Sequence, residues 1–134
     1  MISKLQNDNL GKLVIRLSLG VLILFHGLAK LEHTEVVTMI GNHLKADGLP
    51  AFIAYAVYIG ELIAPLMVIA GVYCRYGAIM IVINMLFAFG LFHMSQIFSL
   101  GHSGGWQLEL QGFYLFSAIA VMFLGSGRWA FRPD

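Results

Sequence analysis

The sequence predicts an all-α protein, a four-helix transmembrane bundle with both termini in the cytoplasm. Three observations predict it. Hydrophobic residues make up 59% of the 134 residues and charged residues 11%, against roughly 25% charged residues in an ordinary soluble domain. Four long apolar stretches each approach the about 20 residues that a helix needs to cross about 30 Å of hydrocarbon. Lysines and arginines gather in alternate polar segments between them, which is the asymmetry that sets membrane topology. The length leaves room for one domain, residues 1–134.

The elements follow in order. The first span is expected at about 11–31. Lys4 and Lys12 precede it, and its apolar run is longer than the roughly 7–15 residues of a signal-peptide core and lacks a small-residue cleavage site behind it, so a retained anchor is expected. In the polar segment 32–50, Val36, Met39, Ile40, His43 and Leu44 have the spacing of a short amphipathic helix at the membrane interface. Gly48-Leu49-Pro50 resets the chain, with Pro50 suited to the first turn of a helix.

The second span is expected at 51–73. Pro65 inside it removes one helical hydrogen bond and frees the carbonyl of Glu61, which predicts a kink. Cys74-Arg75 is a tight turn before a third span at 76–98. A loop at 99–107, with Gly101, Gly104 and Gly105, leads to a fourth span at 108–125 and a polar tail. Lys4, Lys12, Arg75, Arg128 and Arg132 then share one side, which the positive-inside rule makes cytoplasmic. The segments 32–50 and 99–107 face outward. The surroundings are a lipid bilayer crossed several times.

Composition also excludes. Cys74 is the single cysteine, so neither an internal disulfide nor dithiol chemistry within this chain is expected. No basic patch or nucleic-acid motif is visible, so nucleic acid is not an expected partner.

Ionisable residues inside the spans carry the functional signal, because each is expensive in hydrocarbon. Counting about 1.5 Å per residue puts His26 and Lys30 toward the outer end of the first span, Glu61 near the middle of the second, His93 below the outer end of the third and Glu109 at the outer start of the fourth. Arg16 lies toward the cytoplasmic side. At about 100° per residue, Arg16, His26 and Lys30 share an arc of about 80°, with Gly20 and Gly27 on the same edge. Glu109, Gly112, Phe116, Ala120 and Phe123 make a stripe on the fourth helix. Asn84 and His93 point in roughly opposite directions on the third.

Glu61 is the expected proton-handling or ligand-binding acid, and His26, His93 and Glu109 the expected ligand-binding partners. Arg16, Lys30 and Asn84 are assigned to a supporting polar network. The bland readings stay beside these: a neutral hydrogen-bonded Glu61, histidines that serve packing, and Arg16 and Lys30 that snorkel to the headgroups. His26 and His93 with Glu61 or Glu109 have the ligand chemistry of zinc or non-haem iron, and two histidines can also hold haem. The ligands would come from three or four helices without a local motif, and no metal site is assigned.

Arg16-Leu17-x-x-Gly20, then Phe25-His26-Gly27-x-x-Lys30-Leu31, then Gly60-Glu61 and Gly71-Val72-Tyr73-x-Arg75 together resemble the DoxX family of small four-helix bacterial membrane proteins. The resemblance covers essentially the whole chain. This sequence has Glu109 where some members have lysine, and Gly125-Ser126-Gly127 where many have Gly-Pro-Gly. Related proteins are described as the small membrane subunit of thiosulfate:quinone oxidoreductase and as a membrane partner in an oxidative-stress complex. The resemblance therefore implies a redox-linked role in the bacterial inner membrane, with quinone as the small molecule and a partner oxidoreductase that supplies any cofactor; the chain itself has no flavin or nicotinamide motif. A non-enzymatic scaffold or assembly factor and a small transporter or channel are the competing readings. Gly20, Gly27 and Gly112 allow close helix contact within a chain or between copies of a homo-oligomer.

Overall fold

The computed structural model describes residues 2–92 and 94–134, and the expected site residue His93 lies outside them. Among the described residues the chain is all-helical, with no strand. Helix α1 is Asp8–Glu32. Asn7 caps it, its side-chain oxygen accepting from the Leu10 amide at 3.0 Å, which satisfies one of the free N–H groups of the first turn. Helix α2 is Thr34–Ala46. A third apolar segment, α3, is Ala51–Ala70. Helix α4 is Cys74–Phe92 and α5 is Glu109–Leu124. α1, α3 and α4 are long and apolar enough to cross a membrane, and α5 is a shorter apolar helix.

The four apolar elements form a ring: α1 lies against α3 and α5, and α4 closes the other side against the same two. Leu19, Ile23, Val68, Ile81, Leu115 and Val121 meet in the core. Outward, Phe25, Phe87, Phe113 and Phe116 are each more than half exposed. An apolar rim around a packed interior is what a bilayer requires, since lipid tails are as apolar as the core.

Helix α2 occupies the segment where a short amphipathic helix was expected. Its buried residues are Val37, Gly41 and Leu44, which pack against the start of α3 around Ala54, while Met39 turns away and is 67% exposed. The third span was expected to reach residue 98, but helix α4 is described to Phe92 and Met94–Gln96 form a 3-10 turn. Trp106 braces this end of the molecule, its indole N–H donating to the Ile97 carbonyl at 2.6 Å.

α3 is not one regular helix. A 3-10 turn, Ala51–Tyr55, leads into a short α-helical piece, Ala56–Tyr58. A π-helical turn, Ile59–Ile63, follows, and α-helix resumes over Ala64–Ala70. The cause lies in the sequence. Pro65 has no N–H, so the ladder loses a rung next to the turn, and the Ala64 N–H reaches back five residues to the Ile59 carbonyl. Such single wide turns often sit at functional sites. Here the turn contains Glu61.

Candidate functional site

The wide turn aims Glu61 into the bundle, where it is 6% exposed. Lys30, in the last turn of α1, meets it. The Lys30 ammonium Nζ donates to both carboxylate oxygens, Oε1 and Oε2, each at 2.7 Å. This is the short, charge-assisted geometry of an ammonium with a carboxylate. Each charge alone would cost about 2.5–3.5 kcal/mol at the centre of a bilayer. As an ammonium and a carboxylate they offset each other's charge and satisfy one another. The Tyr58 hydroxyl donates to the Lys30 carbonyl at 3.3 Å and fixes that end of α1 against α3.

Two glycines let the helices come close enough for this pairing. A Cβ at Gly27 would collide with the Glu61 carbonyl oxygen, so α1 crosses α3 with its backbone against the irregular turn. A Cβ at Gly60 would lie 2.7 Å from the Asn84 side chain, so α4 is held equally close on the other side.

The pair lines a chamber of about 150 Å³ whose walls include His26, Asn84, Gln111 and Tyr114. His26 Nε2 lies 3.3 Å from the Tyr114 hydroxyl, with the rings edge to face at 5.7 Å between centroids. Tyr114 is buried, but His26 is exposed, so the chamber opens to the surface beside the imidazole. The side-chain amides of Asn84 and Gln111 have no hydrogen-bond partner among the described residues. The chamber thus presents an ion pair, a histidine–tyrosine couple and two amides free to donate and accept.

Of the residues singled out from the sequence, His26, Lys30, Glu61 and Asn84 come together here. Two others do not. Arg16 lies 14 residues before Lys30, about 21 Å away along α1 at 1.5 Å per residue. It neither snorkels nor meets Glu61. It is 1% exposed, and its guanidinium donates to four carbonyls: Val68 at 3.0 Å, Ile69 at 3.0 Å, Ser126 at 2.9 Å and Trp129 at 2.8 Å. Val68 and Ile69 belong to the last turn of α3, where carbonyls lack helical partners and a cation is favoured. Arg16 therefore caps α3 and ties the tail beneath it.

Glu109 is exposed, outside the chamber, with its carboxylate beside Gly105. It opens α5, where an acid faces the free N–H groups of the first turn. Two residues onward is about 200° around a helix, so Gln111, not Glu109, faces the chamber, with Tyr114 one turn on. Among the described residues no three His, Cys, Asp or Glu side chains gather to hold a metal ion.

Gln111 and Tyr114 were not singled out from the sequence. Their signal was a polar residue and a hydroxyl three positions apart, and the stripe through Glu109 concealed it.

In comparison with known proteins, the DoxX family model matches residues 11–94, from the start of the first apolar stretch to just beyond α4. No curated protein and no solved structure matches the chain.

Proposed function

This chain belongs to the DoxX family, and from that premise we propose that it is a multi-pass protein of the bacterial cytoplasmic membrane that binds a quinone head group in the Lys30–Glu61 chamber and serves as the membrane subunit of a partner oxidoreductase. The carrying observation is a polar chamber in a membrane protein, walled by a part-buried Lys30–Glu61 pair of opposite charges and by Asn84 and Gln111 amides that no described residue satisfies. A neutral ligand with hydrogen-bonding carbonyls fits such walls, because it adds no net charge and supplies partners for polar groups that are costly to leave unpaired in hydrocarbon. A bound quinone accepts two electrons and two protons. In this reading Lys30, Asn84 and Gln111 hold the carbonyl oxygens, and Glu61 with the His26–Tyr114 couple exchanges protons with them. The electrons come from the partner's cofactor.

Sidedness belongs to the same proposal. Lys12 lies beside Gly127, and the Arg128 amide donates to Asn9 Oδ1 at 2.9 Å, so the basic residues of both terminal segments gather at one end. The positive-inside rule makes that end cytoplasmic, with α5 as the fourth crossing.

Native mass spectrometry of the purified protein, followed by quinone titration, tests the reading. Retained quinone, and a Glu61→Gln variant that stays folded with binding weakened about tenfold or more, are the expected results; tenfold corresponds to about 1.4 kcal/mol. Wild-type protein that neither retains nor binds quinone overturns it.

A further inference from the structure

The chamber adjoins a second, larger cavity. A groove of about 390 Å³ lies between α2, the first half of α3, and α4. Leu44, Val57, Ile83 and Phe87 are typical of its walls, and its polar side chains are Lys30 and Asn84. These two, with Ala88, line the chamber as well. The polar ends of the two cavities therefore share a wall made of a flexible lysine, an amide and a methyl group. On its other side the groove reaches the apolar rim, where Ile59, Ile83 and Phe87 are about half exposed.

We infer that this groove holds the hydrocarbon tail of the ligand whose head group occupies the chamber, and that the ligand enters sideways from the bilayer between α3 and α4. The inference rests on the quinone reading above and deepens it. The chamber has another opening, beside His26. A hydrocarbon chain leaving there would run past Gln111 and the His26–Tyr114 couple and cover their polar atoms without bonding them, which is unfavourable. A chain leaving through the groove meets aliphatic and aromatic walls once it has passed Asn84. The two cavities together match an amphipathic molecule: a compact neutral head, then a long apolar tail continuous with the lipid.

The test uses full-length protein in lipid nanodiscs and a long-tailed benzoquinone with a diazirine on the first isoprene unit of its tail. Irradiation and peptide mass spectrometry are expected to find labels within residues 53–60 and 83–91, removed by excess unlabelled quinone. Ile83→Trp, at a half-exposed groove position, is expected to reduce that labelling at least fivefold, while a tailless benzoquinone still binds with unchanged affinity. Competable labels around residues 22–26 and 110–113 would overturn the inference, as would groove labelling unaffected by Ile83→Trp. Tailless ring binding without any competable tail label overturns the groove alone; failure of ring and tailed compound alike overturns the head-group reading and the groove with it.

Discussion

A lysine near the end of α1 and a glutamate in the middle of α3 look unrelated in sequence, since neither residue reveals the other's depth. Periodicity placed Lys30 on the same face as His26 and Arg16, but a side chain so close to a helix end also has the reach to snorkel. The Glu61 partner becomes visible only once the wide turn and Gly27 bring the two backbones together. If the pair is a coupled unit, Lys30→Met and Glu61→Gln will each lower the stability of the protein in lipid by about 1–3 kcal/mol, and the double variant by less than the sum of the two. Thermal unfolding of the three variants measures this; strict additivity would show that the contact contributes nothing. Arg16 makes a sharper case. Lysine keeps the charge but not the planar fork of donors, so it cannot serve four carbonyls spread over two segments. Arg16→Lys is expected to cost about 1.5–3 kcal/mol by the same assay, with the Lys30–Glu61 coupling unchanged.

At the level of the elements, hydropathy marked the apolar helices: among the described residues three are long and apolar enough to cross a membrane and one is shorter. It did not orient them. A helix that is apolar all round carries no polarity contrast to mark its inner face. Phe116 and Phe123 of the stripe read on the last helix are exposed, while its Gly112 is buried together with Tyr114, Leu115, Ala118 and Val121. The missing rung at Pro65 was legible, but the wide turn beside it was not, because proline states only which hydrogen bond is missing. Pro65→Ala restores that donor and should let the turn wind back toward regular α-helix. Glu61 then rotates away from Lys30, and the coupling between them in a double-mutant cycle is expected to fall below about 0.5 kcal/mol. Persistence of the full coupling in the Pro65→Ala background would show that packing alone sets the turn. Gly27→Val is expected to lower stability by about 1–3 kcal/mol, the usual cost of overfilling a close contact, since its side chain would meet the Glu61 backbone.

The whole molecule has two unlike ends. One is a frame: Arg16 under α3, the Arg75 guanidinium donating to the Met122 and Phe123 carbonyls at 3.2 Å each, and Asp134 Oδ1 accepting from the Ser126 amide at 3.1 Å. The other holds α2, the loop after α4 and the open chamber. If the framed end is cytoplasmic, an impermeant maleimide added to intact cells will label His102→Cys and spare Arg128→Cys, both in a Cys74→Ser background; the reverse pattern would invert the topology. The frame also bears on how the chain is made. Two acceptors of Arg16, Ser126 and Trp129, come 110 and 113 residues after it. A nascent first helix leaving the ribosome therefore carries a guanidinium whose final partners do not yet exist. Until they are synthesised only the Val68 and Ile69 carbonyls can serve its fork, and its remaining N–H groups need water. The contact that ties α1 to the tail therefore forms late, after all four apolar helices have been made.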